Sequence, residues 1–290
     1  MINLIYTIIL FNILIIIFKL FAKYKVNNLQ ALIVNYLTAT FCSYFFLETT
    51  FSLEHILQSA WLNHAIIIGT LFMITFNLYS FGIQKVGISV TTVANKMSLI
   101  IPVCAALILY PEQEKLTMIK AMALFLAFIG IYLCITESGK IIFNNKYLWI
   151  IITLFIGQGV CDAIFNDFAQ TFINTLKTES FLFFMTLFFM ASISGIIIHI
   201  TKYNKRNNNI KLKNIIWGIA FGVPNFFSLF FFLKVLADPN IVSSIAFPLL
   251  SMGIVISSSL IGLYAFKERI TRNNWIGILI SICAIYLLSY

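Results

Sequence analysis

The stretch SVTTVANKMSLIIPVCAALILY, residues 89–110, is mostly apolar over a length that can cross a bilayer, yet it contains Lys96. About 20 apolar residues are the length of a transmembrane helix. A charged ammonium inside such a helix costs roughly 3 kcal/mol or more, and it usually faces other helices or water. The stretch therefore predicts a membrane helix with one side turned away from lipid.

The composition of the whole chain extends this reading. Hydrophobic residues make up 61% of the 290 residues and charged residues 10%, whereas a soluble domain is about 25% charged. Apolar runs recur from end to end, so we expect a multi-pass protein of the bacterial inner (plasma) membrane. The net charge of +9 comes mostly from loops between apolar runs, where membrane orientation explains it, and we expect no nucleic-acid partner.

The cysteines and the N-terminus carry no other signal. The five cysteines lie singly in apolar runs, with neither metal-ligand spacing nor a disulfide framework, so we expect no metal site and no cofactor. The first residues, MINLIYTIILFNILIIIF, lack a basic segment and a small-residue cleavage site. They predict a retained first helix instead of a signal peptide.

Windows of about 20 apolar residues predict an all-α membrane protein with ten spans. The predicted spans are 2–22, 30–47, 61–83, 89–110, 117–136, 147–169, 179–201, 213–235, 240–264 and 273–290.

Two junctions indicate an internal repeat. The segment YPEQEKLT at 110–117 precedes the fifth span, and YAFKERIT at 264–271 precedes the tenth. Sparser matches pair the first span with the sixth and the third with the eighth, in the same order. We interpret these as two five-helix repeats, residues 1–138 and 147–290. Because five is odd, the second repeat enters the membrane inverted, as in many secondary transporters.

With these junctions, the chain resembles the EamA type of the drug/metabolite transporter superfamily. That family tends to place glycines in the closing helix of each half, and small residues occupy the matching positions: Ala123, Gly130, Gly277 and Ala284. The resemblance covers essentially the whole chain. It implies a central cavity between spans 1, 3, 4, 6, 8 and 9, within one membrane domain.

The loops predict an orientation. Most loop lysines and arginines follow the odd-numbered spans, including the segment KYNKRNNNIKLK at 202–213. By the positive-inside rule, this segment lies in the cytoplasm and both termini lie outside.

The fourth span carries the first candidate binding residues. Asn95 and Lys96 belong to a broad polar side that also includes Thr91, Thr92 and Ser98. Lys96 lies about 10 Å from the predicted start of the helix, so snorkelling to the interface is an alternative. A polar side is better explained by a cavity, and we expect Asn95 and Lys96 to bind substrate.

The sixth span carries the second group. Gln158, Asp162 and Asn166 recur at helical spacing, and an acid at that depth marks a functional site by default. We expect all three to bind substrate. The alternative is a structural ion pair between Asp162 and Lys96 or Lys19. For Lys19, near the end of the first span, we expect snorkelling.

Three further candidates lie in other spans: Asn77 in the third, Asn225 in the eighth and Ser251 in the ninth. Helix packing is the alternative for such groups, and for lone serines it is the better one.

These residues predict a secondary transporter for a small polar metabolite, in which a cation and an anion favour an amino acid or another zwitterion. An anionic metabolite is the second candidate. No Walker A motif is present, and the three histidines lie far apart, so we expect no ATP coupling and no enzyme activity. A membrane-embedded enzyme or a passive channel is the alternative class. The expected partners are the substrate, the lipid bilayer and, as a further candidate, a coupling proton, with the chain a monomer or weak dimer.

Overall fold

The structure, a computed structural model, describes residues 2–47, 52–109, 117–137, 140–141, 144–202, 211–236 and 243–287. The described part is predominantly helical, as predicted. The helices are α1 (Ile2–Lys23), α2 (Asn28–Phe45), α3 (Leu53–Gln58), α4 (Leu62–Lys85), α5 (Ile88–Met97), α6 (Ile100–Leu109), α7 (Met118–Ile135), α8 (Leu148–Thr171), α9 (Ile173–Lys202), α10 (Leu212–Leu236), α11 (Ser243–Phe266) and α12 (Arg272–Leu287).

Six segments of the described chain are long and apolar enough to cross a membrane. They are Ile2–Lys23, Leu62–Lys85, Asn145–Phe165, Glu179–Thr201, Leu212–Phe232 and Leu249–Phe266. Met118–Cys134 and Arg272–Leu287 form shorter apolar helices. The architecture is therefore that of a helical membrane protein, as the composition predicts.

The fourth predicted span differs from its prediction. Residues 89–110 were expected to form one helix, whereas α5 ends at Met97 and α6 begins at Ile100. Ser98 marks the break, where its hydroxyl donates a hydrogen bond to the Asn95 carbonyl. A serine hydroxyl that competes for backbone groups in this way weakens helical continuity. The other nine predicted spans each overlap a single helix of the described chain.

Two short elements were not predicted. The helix α3 begins after Ser52, whose side chain accepts a hydrogen bond from the backbone N–H of His55. Two-residue strands, Thr136–Glu137 and Lys140–Ile141, pair in antiparallel register after α7. Both elements are shorter than the windows that detect membrane spans.

The helices bury two apolar clusters. The larger lies between α1, α2, α4, α8, α9 and α10 and is rich in aromatic rings, such as Phe18, Tyr36 and Phe221. The smaller joins α5, α7, α11 and α12 through Val93, Ala127 and related side chains. Their separation places α7 and α12 to one side of the main bundle.

The small residues of the two predicted closing helices bring α7 and α12 together. A Cβ atom added to Gly277 would lie 2.8 Å from the Gly130 carbonyl oxygen and 2.7 Å from the Cys134 nitrogen. Ala123 and Ala284 are fully buried. The two backbones therefore approach more closely than larger side chains would permit, as at small-residue membrane interfaces.

Candidate functional site

A cavity of about 90 Å³ lies among α1, α4, α5, α8, α10 and α11. These helices occupy predicted spans 1, 3, 4, 6, 8 and 9, the set that the family resemblance implies. Apolar and polar side chains both line the cavity. The polar ones are Thr7, Tyr79, Asn95, Lys96, Gln158, Asp162, Asn225, Ser228 and Ser251.

Lys96 reaches the cavity from the last turn of α5. Its Nζ atom lies 4.3 Å from the centroid of the Phe11 ring on α1. An ammonium over an aromatic face is attracted by the ring quadrupole, and a cation near a helix C-terminus also interacts favourably with the helix dipole. The half-buried Lys96 side chain and its buried neighbour Asn95 both face the cavity, so snorkelling to the interface does not describe the position of Lys96.

Asp162 faces the cavity from α8. Its Oδ1 atom accepts a hydrogen bond of 2.8 Å from Gln158 Nε2, one helical turn earlier. Among the described residues, Asp162 forms no ion pair with Lys96 or with Lys19. The cavity thus contains a carboxylate and an ammonium that do not neutralise each other by direct contact.

Asn225 on α10 and Ser251 on α11 complete the polar lining. Both are almost fully buried, at 2% and 4% exposure. The Asn225 amide Nδ2 donates a 3.0 Å hydrogen bond to Oδ1 of Asn35 on α2. Asn35 is itself fully buried outside the cavity lining. This bond fixes the plane of the Asn225 amide.

Two predicted site residues remain, of which Asn77 does not join this set. Asn77 lies on α4 but does not line the cavity, because the face of α4 towards the cavity carries Phe72, Phe76 and Tyr79. Adjacent positions on a helix point about 100° apart, so Asn77 points elsewhere. For Asn166, the backbone belongs to α8 but the side chain lies outside the described residues.

The structure also adds residues that sequence reasoning did not single out. Phe11 supplies the ring beneath Lys96, and Thr7 lies one turn away on α1. The hydroxyl of Tyr79 forms a 3.0 Å hydrogen bond with Thr92 on α5. A polar residue in the apolar first span, such as Thr7, is a sequence signal that could have identified the cavity-facing side of α1.

Lys19, for which snorkelling was expected, forms an ion pair that the sequence did not predict. Its Nζ atom lies 2.7 Å from Oε1 of Glu268. The partner follows α11 in the chain, and the ion pair is partly buried, with side-chain exposures of 24% and 15%. A contact between residues so far apart in sequence requires the folded arrangement of α1 and α11.

Comparisons with known proteins bear on the fold. No protein-family model matches the chain. An uncharacterized protein of Haemophilus influenzae is 29% identical over 294 residues, covering 99% of this chain and 97% of that protein. The chain also resembles a protein of known crystal structure, with a TM-score of 0.58 and 13% identity. The match covers 99% of this chain and 94% of the other. At that identity the similarity concerns the fold alone.

Proposed function

We propose that this protein is a secondary transporter that carries a small polar metabolite, an amino acid or another zwitterion, across the bacterial inner membrane. The observation that carries the proposal is the pairing of Lys96 and Asp162 in one interhelical cavity without direct contact between them. Two opposite charges that line one cavity of a membrane bundle without forming an ion pair favour a ligand that carries one charge of each sign.

The substrate orientation follows from the positions of the two charges. Its carboxylate meets Lys96 and the amide of Asn95, and its ammonium meets Asp162. The buried Asn225 and Ser251 supply neutral hydrogen-bonding groups at the same cavity. Such groups reject ligands that cannot pair with them, because an unpaired buried polar group costs about 1–3 kcal/mol.

The architecture that goes with this function is ten spans in two inverted five-helix repeats of the EamA type. The repeated Glu-basic-aliphatic-Thr junctions support it. So does the close packing of α7 against α12, the closing helices of the two repeats, at Gly130 and Gly277. Two equivalent halves can exchange conformations and expose the cavity to each side of the membrane in turn.

An anionic metabolite is the second candidate, and one contact favours it. Gln158 already donates a hydrogen bond to the Asp162 carboxylate, whereas the Lys96 ammonium lies over the Phe11 ring. A substrate with a single negative charge then needs Lys96 alone. In that case Asp162 is available to carry a coupling proton.

The function is tested with purified protein reconstituted in lipid vesicles. Vesicles preloaded with an unlabelled amino acid should accumulate the labelled form by saturable counterflow, because a carrier exchanges its substrate. Protein-free vesicles provide the background. Non-saturating flux would instead indicate a channel, chemical conversion would indicate an enzyme, and either result would contradict the proposal.

A further inference from the structure

Glu268 joins three separate parts of the fold at one end of the bundle. Its Oε1 atom lies 2.7 Å from Nζ of Lys19, near the end of α1. Both carboxylate oxygens accept a hydrogen bond from the backbone N–H of Ile88, at 3.0 and 2.9 Å, where α5 begins. One side chain therefore connects α1, the α4–α5 turn and the α11–α12 turn.

The surrounding backbone is shaped around this carboxylate. Gly87 has a φ of +125°, which other residues rarely adopt, and it directs the Ile88 N–H towards Glu268. A Cβ atom added to Gly262 would lie 2.9 Å from Glu268 Oε2. A carboxylate at the start of α5 also interacts favourably with the helix dipole.

An aromatic layer separates this carboxylate from the cavity. The buried ring of Phe18 lies 4.5 Å from that of Phe221 and 5.8 Å from those of Phe21 and Tyr79, between centroids. Phe76 belongs to the same group, at 6.1 Å from Phe18. Phe76 and Tyr79 also line the cavity, so the layer forms its wall at this end.

The cavity, the aromatic layer and the ion pair follow one another in the same order along α1 and α4. In α1, Phe11 lines the cavity, Phe18 belongs to the aromatic layer, and Lys19 follows it. In α4, Tyr79 belongs to the layer, and the Ile83 carbonyl one turn later accepts a 3.3 Å hydrogen bond from Lys19 Nζ. The ion pair thus lies beyond the aromatic layer as seen from the cavity.

We propose that the Lys19–Glu268 ion pair is a latch that holds this end of the cavity closed. When it breaks, α1 can move away from the α5 and α11 ends, and the aromatic layer opens. A neighbouring cavity of about 230 Å³ is lined by Lys85 and Arg269. In the open state, the Glu268 carboxylate can face these basic groups and solvent. The role in transport depends on the proposed function, but the opening motion does not.

The motion is measured by electron–electron resonance between spin labels in lipid nanodiscs. The labels are attached at the exposed positions Lys23 and Arg272, in protein whose native cysteines are replaced. They measure the separation of α1 from α12 at this end. We expect one narrow distance distribution in the parent protein. Lys19→Gln should raise the population of a longer distance about fivefold or more, because it removes a partly buried ion pair.

Three controls make the result specific. Lys19→Arg keeps the ion pair and should keep the short distance. Lys85→Gln removes a nearby exposed cation that forms no ion pair with Glu268 in the described chain, and it should also leave the distance unchanged. Labels at Leu57 and Thr171, at the other end of the bundle, should keep a narrow distribution in Lys19→Gln, which excludes general unfolding.

An unchanged distance in Lys19→Gln, or an equal change in Lys85→Gln, would overturn the latch. If the distance is unchanged while counterflow persists, the latch is wrong and the transporter proposal stands. If the distance lengthens while no substrate is exchanged, the latch stands and the transporter proposal fails.

Discussion

The ammonium of Lys96 lies 4.3 Å from the centroid of the Phe11 ring, inside the cavity that also holds Asp162. The ring attracts the ammonium without neutralising its charge, since cation–π attraction contributes about 0.5–2 kcal/mol. Lys96 is therefore held in place while its charge remains available to a ligand.

From this position we predict that Lys96→Ala abolishes transport while the protein still inserts and folds. Counterflow in vesicles should fall at least about tenfold, since loss of a charge-assisted contact costs about 1.5–3 kcal/mol. Thermal unfolding in detergent should shift by no more than about 4 °C, because no ion pair is lost.

Lys234 provides the matched control for that substitution. Its Nζ atom lies 4.4 Å from the centroid of Phe230, but the side chain is exposed and does not line the cavity. Lys234→Ala should therefore transport normally. Normal transport by Lys96→Ala would leave Lys96 without a substrate role.

We predict that Asp162→Asn weakens substrate binding with little change in pH dependence, since the carboxylate faces the substrate's ammonium. The measurement is accumulation in vesicles with and without an imposed pH gradient. If the gradient drives accumulation in the parent protein and Asp162→Asn loses it while keeping exchange, then Asp162 carries a proton instead.

Asn35 should affect binding from outside the cavity, through its hydrogen bond with Asn225. Asn35→Ala leaves the Asn225 amide without this acceptor, and we expect a substrate Kd about tenfold higher, from roughly 1–3 kcal/mol. Thr40→Ala removes another side-chain hydrogen bond of α2, to the Tyr36 carbonyl. Its Kd, measured by calorimetry, should equal that of the parent protein, and equal losses in both variants would refute a specific role for Asn35.

A larger side chain at the α7–α12 contact should lower the stability of the protein. Gly277→Val places carbon atoms against the Gly130 carbonyl, and overpacking of this kind costs about 1–3 kcal/mol. We expect a lower unfolding temperature in detergent. Gly157→Ala should change it less, because the added Cβ would lie 3.2 Å from Thr75 Cγ2 and near no other atom of the described residues. The reverse order would contradict close packing at Gly277.

Sequence patterns predicted the helices and much of the cavity for a physical reason. The apolar runs indicate helices in contact with lipid. Polar residues at helical spacing, such as Gln158 and Asp162, indicate the side of a helix that faces away from lipid. Isolated polar residues carry less information: Asn77, predicted to bind substrate, does not line the cavity. The Lys19–Glu268 contact was missed because no local pattern encodes a pair that only tertiary packing brings together.

The proposed function requires that one ligand meets both Lys96 and Asp162. The most direct measurement is binding of three forms of one amino acid that stabilises the protein: the free zwitterion, its methyl ester and its N-acetyl derivative. The ester lacks the carboxylate charge and the acetylated form lacks the ammonium. We predict that the zwitterion binds at least about tenfold more tightly than either derivative, since each loses one charge-assisted contact. N-acetyl binding as tight as that of the zwitterion would contradict a role for Asp162 in recognition and favour an anionic substrate.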